Sequence, residues 1–222
     1  QARSKQLAQQ VNALAYESTS SRWTALFRTD LLEATDATQE RSNRQERGLS
    51  PLLTDPVQRP CCFIHHDGTA GTGIYDLRQG KLDHLDRHLH HLPYLLAKPE
   101  PRVLVIGVGG GRDVLTALRY GASQVTGVEL DPVTVDVVRD LLPERTQGAF
   151  GRPEVELVAA EGRHYVRTTG RRFDLIQITG VDTLSAQTSG AYVLAENYLD
   201  TVEAFHDYLD LLEPGGLLSV TT

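Results

Sequence analysis

The stretch VLVIGVGGGRD at residues 103–113, followed by VTGVELD at 125–131, decides the fold. Val103, Leu104, Val105 and Ile106 form a run with no polar position, the pattern of a strand covered on both faces. Gly107, Gly109, Gly110 and Gly111 then allow a tight turn and close backbone approach. A helix is expected over residues 112–120, closed by Gly121. A second apolar run ends at Glu129, 22 residues after Gly107. A carboxylate at the tip of a second parallel strand suits the two hydroxyls of a ribose. The pair of motifs therefore predicts a nucleoside-binding half-fold.

A dinucleotide fingerprint needs glycine at the third position of G-x-G-x-x-G, and here that position is Arg112. A side chain there hinders close helix–strand packing and disfavours a diphosphate ligand. A nucleoside without a pyrophosphate, such as S-adenosylmethionine, fits better, and a nicotinamide-dependent dehydrogenase is disfavoured.

Strands and helices alternate from residue 101 onward. Asp131-Pro132 starts a helix running to about Leu142, with Asp as N-cap and Pro at the first helical position. Strands are expected at 155–158, 173–178 and 217–221, and helices at 162–167 and 196–212. The order implies an α/β fold: a Rossmann-like, doubly wound, mostly parallel sheet. Its ligand crevice lies at the carboxyl ends of the strands, which brings together the glycine turn, Glu129, Glu161 and residues 179–189. With the usual strand order 3-2-1-4-5, strand 217–221 is an open edge, which leads us to expect further strands or a partner chain, such as a homodimer, covering it.

Three domains are expected. Residues 1–20 read as a helix or linker, with Leu7, Val11 and Leu14 on one face. Residues 21–80 read as a small β lobe. Its polar segment 33–60, with Arg41, Arg44 and Arg47, reads as a solvated loop rather than a flap. Residues 81–222 form the nucleoside-binding domain. Within it, 82–96 has a helical pattern with Leu82, Leu85, Leu89, Leu92 and Leu96 as its buried stripe. His84, His88 and His91 fall on a second face. Histidines at i, i+4 suit zinc, but neither the Glu of H-E-x-x-H nor a cysteine cluster accompanies them. Packed or solvated histidines are favoured, then a pocket wall, and no metal is expected.

The chain carries 22 Lys and Arg against 29 Asp and Glu, a net charge of −7, which disfavours a basic nucleic-acid surface. No apolar run reaches the length of a membrane span, and no secretory signal is visible. Cys61 and Cys62 are adjacent and alone, so no disulfide framework is expected, and a reducing, cytoplasmic setting fits. The chain has no methionine, and its final strand ends abruptly; both lead us to expect a piece of a longer protein.

With these landmarks in order, the chain resembles the class I S-adenosylmethionine-dependent transferases, and within them the spermidine synthase (polyamine aminopropyltransferase) family. The resemblance rests on HHDGTAGTGIYD, His91-Leu92-Pro93, IGVGGGRD, VTGVELDP, AAEGRHYV, FDLIQITGVD, AENYLDTVEAF and LEPGGLL. It runs from about Asp67 to the end. Residues 23–30 also resemble the first strand of longer bacterial relatives, some with membrane helices upstream, which implies an upstream membrane domain here.

The resemblance implies an aminopropyl transfer from decarboxylated S-adenosylmethionine, or use of S-adenosylmethionine itself, with a small amine as acceptor. Gly107, Gly109 and Gly111 would pass under the methionine-like part of the donor. Glu129, followed by Leu130, would hold the ribose side. Glu161 and Gly162 would stand where the family has an Asp-Gly near the adenine. Asp67 and Gly68 match an Asp-Gly at the site entrance, with His91 and Tyr192 as acceptor-side residues.

Two departures stand out. The family's glycine turn usually carries an Asp that holds the donor's amine, and here that position is Gly110. The family's base at the end of strand four is Thr179 here, leaving Asp182, three residues on, as the candidate base. Asp113 either supplies a displaced charge or only complements the helix dipole. A methyltransferase on the same fold and a catalytically inactive nucleoside-binding domain stay open as alternatives.

Overall fold

The computed structural model describes residues 16–26, 28–34, 60–67, 70–78, 82–180 and 198–221. Residues 1–15 of the helix or linker expected at 1–20, most of the Arg-bearing segment 33–60, Gly68, Asp182 and Tyr192 lie outside the described residues.

A four-stranded antiparallel sheet comes first: β1 (Tyr16–Trp23), β2 (Arg28–Ala34), β3 (Pro60–His66) and β4 (Ala70–Tyr75), in that order. It starts upstream of the expected boundary at 21. The pairing sets Leu31 opposite Ile64 and Ile64 opposite Thr72. Leu31, Cys62, Ile64 and Ile74 are buried in one cluster with Val103, Val105 and Val114 of the following domain. The small sheet thus has no separate core on that face, because its apolar positions fill the larger one.

The second sheet is parallel, with five strands: β5 (Arg102–Ile106), β6 (Gln124–Glu129), β7 (Val155–Ala159), β8 (Phe173–Thr179) and β9 (Leu212–Thr221). Its order is β7-β6-β5-β8-β9, the 3-2-1-4-5 arrangement expected. The all-apolar β5 is explained by alternation: Val103 and Val105 enter one core, Leu104 and Ile106 the other. Helices α1 (Arg112–Arg119), α2 (Pro132–Asp136, continued by a wide turn at Val137–Leu141), α3 (Gly162–Thr168) and α4 (Val202–Asp210) flank the sheet. Asp131 caps α2 as expected, its carboxylate accepting from the amides of Val133 and Thr134 with Pro132 at the first position.

Two expectations are corrected. The 82–96 segment is not one α-helix but two 3-10 turns, Asp83–Arg87 and Leu89–Leu95, separated by extended His88. Pro93 has no N–H to bond Leu89 and its ring crowds that carbonyl, which disfavours an α-helix through it by about 3 kcal/mol. Of the expected stripe only Leu85 is fully buried; Leu89, Leu92 and Leu96 are exposed. The last strand also begins earlier, at Leu212, so that Glu213-Pro214-Gly215-Gly216 belongs to β9. β9 lies at the sheet edge, where a proline without an N–H is tolerated.

Candidate active site

The carboxyl ends of β5 and β6 set the first contacts. The chain leaves β5 through Gly107, Gly109 and Gly111, all with positive φ, before α1 begins at Arg112. The Gly109 amide donates to Glu129 Oε2 at 2.9 Å, and the Asp131 amide to Glu129 Oε1 at 3.1 Å. Glu129 is therefore buried and fixed from both sides, yet each oxygen keeps a lone pair for a further donor. Leu130 follows it, partly exposed.

The other side of the glycine turn meets β4. The Gly110 amide donates to Thr72 Oγ1 at 2.9 Å. A Cβ on Gly109 would sit 2.9 Å from that hydroxyl, one on Gly110 would run into the Gly73 carbonyl, and one on Gly111 into the Phe150 ring. Glycine at these positions is demanded by protein packing as well as by the turn. Gly162 is also a packing glycine, since its Cβ would lie 2.7 Å from Ile106 Cγ2.

Beneath the turn lies a buried polar network. His90 Nδ1 is 2.9 Å from Asp113 Oδ1, with Arg112 Nε 3.7 Å from the same oxygen. Burial alone would raise the Asp113 pKa, but the hydrogen bond and charge of His90, then Arg112, outweigh it and hold the carboxyl below its usual range. The Thr179 hydroxyl approaches that carboxylate too loosely for a full hydrogen bond and adds slightly to the lowering. Gln177 on β8 accepts from the Tyr94 hydroxyl at 2.7 Å and donates to the His90 carbonyl at 3.1 Å. Burial pushes the Tyr94 phenol well above its ordinary pKa, so it stays a donor. Neither His90 nor Tyr94 was singled out by sequence periodicity. A glutamine in the apolar run FDLIQI was the available signal, and it packs beneath the crevice.

The remaining candidates make contacts of their own. His91 stacks on Tyr120, at the far end of α1 from the glycine turn, about 12 Å for eight residues. His90 pairs with Asp113, whereas His91 stacks on Tyr120, as Tyr94 also does. Asp67 Oδ1 accepts from the Arg28 amide at 3.1 Å while its own amide donates to the Arg28 carbonyl, which fastens the end of the β2–β3 pair. Glu161 caps α3, its oxygens taken by the Arg163 and His164 amides at 2.8 and 2.7 Å. Among the described residues no group of three or more His, Cys, Asp or Glu could hold a metal ion.

A strand–glycine-turn–helix unit with an amide-clamped acid on the next strand is joined here by a matching family model. The model for the spermine/spermidine synthase domain covers residues 83–219. The chain belongs to that family. Polyamine aminopropyltransferase 2 of Hyperthermus butylicus is 36% identical over 155 residues, 66% of this chain and 48% of that protein. Polyamine aminopropyltransferase 1 of Pseudomonas aeruginosa is 34% identical over 111 residues, 50% of this chain and 38% of that protein. The chain thus spans half or less of the length of these relatives. The structure of spermidine synthase from Thermotoga maritima shares the fold, with TM-score 0.61 and 23% identity over 91% of this chain and 56% of that one. A spermidine synthase in complex with the transition state analogue AdoDATO gives TM-score 0.59 at 22% identity, over 91% and 55%.

Gly110 stands where the resemblance implies an acid, and the space there is filled. The Gly73 backbone occupies the space in which a side chain at 110 would begin. Asp113 does not replace that acid as an open ligand, because it is shielded and already paired with His90.

Proposed function

We propose that the chain carries the nucleoside-binding part of an aminopropyltransferase that takes decarboxylated S-adenosylmethionine as donor and a small amine as acceptor. The observation that carries this reading is Glu129, buried and held by two backbone amides beside the glycine turn with lone pairs to spare. That is an acceptor set for a ribose diol. Leu130 offers apolar surface beside it. The turn from Gly107 to Gly111 supports the sulfonium side. Glu161 and Gly162 stand at the start of α3 on the adenine side, and the Glu161 carboxylate caps that helix with a lone pair left on each oxygen.

The sulfonium already activates the donor carbon, so the protein's work is alignment and the removal of one proton. The acceptor nitrogen attacks that carbon, the carbon–sulfur bond breaks, and its electrons neutralise the sulfur. Asp182 takes the proton lost by the acceptor nitrogen. This role rests on its place in the sequence, three residues after Thr179 at the end of β8. Thr179 shapes the crevice floor, and Asp67 and Tyr192 serve the acceptor side.

Turnover with decarboxylated donor and a panel of diamines, followed by mass spectrometry of the amine products, tests the reading. Aminopropylated amine from the native chain, and its loss on Asp182→Asn with donor binding kept, is expected. Transfer of a methyl group from the intact donor instead would refute it.

A further inference from the structure

Cys61 and Cys62 lie in the small sheet, outside the crevice. In a regular strand neighbouring side chains point to opposite faces. Here the β3–β4 register shifts between Pro60 and Cys62, leaving Cys61 as the extra residue of a bulge. The bulge brings the two sulfurs 3.3 Å apart. Cys62 is fully buried and Cys61 partly accessible. Arg145 places Nη1 2.8 Å from Cys62 Sγ, and Glu33 holds its other nitrogen at 2.7 Å. Core packing would explain one buried cysteine. It does not call for a bulge that turns a second thiol onto the first, nor for a guanidinium on the pair.

We propose that Cys61 and Cys62 form a hydroperoxide-oxidised dithiol site, in which Cys61 is the attacking sulfur and Cys62 the resolving one. Hydrogen bonding from Cys62 lowers the Cys61 pKa to about 7, with help from Arg145 and against burial. Cys62 is shifted the opposite way, chiefly by Cys61, and keeps its proton. An attacking thiol is most effective when its pKa lies near the ambient pH. The Cys61 thiolate attacks one peroxide oxygen, the O–O bond breaks, and the departing oxygen takes a proton from solvent to leave as water or an alcohol. Cys61 becomes a sulfenic acid. The Cys62 sulfur then attacks the Cys61 sulfur, and hydroxide leaves with the Cys62 proton as water. The peroxide gains two electrons and the thiols lose two, closing a disulfide between neighbouring residues.

The test is peptide mass spectrometry after titration with hydrogen peroxide at neutral pH. The peptide holding both cysteines is expected to lose two hydrogens, to resist iodoacetamide, and to recover with dithiothreitol. Cys62→Ala is expected to stop at a Cys61 sulfenic acid that dimedone captures. Unfolding the chain in urea is expected to slow Cys61 oxidation at least tenfold, to the rate of a free cysteine. Equal rates folded and unfolded, or oxidation of Cys61 beyond the sulfenic acid with Cys62 still alkylatable, would overturn the proposal.

Discussion

His90 Nδ1 lies 2.9 Å from Asp113 Oδ1, and both side chains are buried beneath the glycine turn. With Asp113 ionised, Nδ1 must carry the proton and donate it. Removing one partner leaves the other without its hydrogen bond, which costs about 1–3 kcal/mol for a buried polar group. Asp113→Ala is expected to lose that much in denaturant unfolding. The Asp113 pKa is depressed in the folded state, so its stabilisation is complete above the ordinary carboxylate range and is lost as pH falls through the folded value. The stability gap between the native chain and Asp113→Asn should therefore narrow only below about pH 4. A gap that closes near neutrality would contradict the assignment.

Gly110→Ala is expected to push β4 off the turn, because its Cβ meets the Gly73 carbonyl. Overpacking of this kind costs about 1–3 kcal/mol. Gly121→Ala serves as the comparison: φ is +74° there, yet nothing lies within 4 Å of its Cβ. It should cost only the left-handed strain, about 1–2 kcal/mol. Hydrogen exchange separates the two, since Gly110→Ala alone should speed exchange along β4.

Much of the fold was legible because its signals are local. The all-apolar β5, the glycines after it, Asp131-Pro132 and the acid ending β6 each act within a few residues, and together they mark the fold class, whose usual strand order the sheet follows. What escaped depends on distant partners. That Gly110 faces Gly73, or that Gln177 ties Tyr94 to the His90 carbonyl, is encoded by the docking of remote segments. The leucine stripe over 82–96 was misread because periodicity assumes 3.6 residues per turn, whereas the segment winds as two 3-10 turns.

Asp131 joins the two sheets. Its Oδ2 accepts from Thr29 Oγ1 at 2.7 Å and lies 3.3 Å from His66 Nε2 while capping α2. Thr29→Val removes one link and keeps the shape, leaving the cap intact. It should cost about 1–2 kcal/mol and raise exchange in β2. Asp131→Ala should cost more, since it adds the loss of a cap worth about 1 kcal/mol. A Thr29→Val chain as stable as the native one would mean that the contact between sheets carries no weight.

The Tyr94–Gln177 bond is testable by a double-mutant cycle. Gln177→Leu leaves the buried Tyr94 hydroxyl without its acceptor and should cost about 1–3 kcal/mol. Adding Tyr94→Phe should then cost less than it does in the native chain. Full additivity would deny the coupling.

The central claim is that Glu129 holds a nucleoside, and calorimetric titration tests it most directly. Decarboxylated S-adenosylmethionine and 5′-methylthioadenosine should both bind the native chain. Glu129→Gln must present its NH2 to one of the two backbone amides, Gly109 or Asp131, and loses the charge-assisted bonds to the diol. Affinity should fall at least tenfold, about 1.4 kcal/mol, with the melting temperature as a check on folding. Unchanged affinity in a folded Glu129→Gln chain, or no binding of either ligand to the native one, would contradict the account.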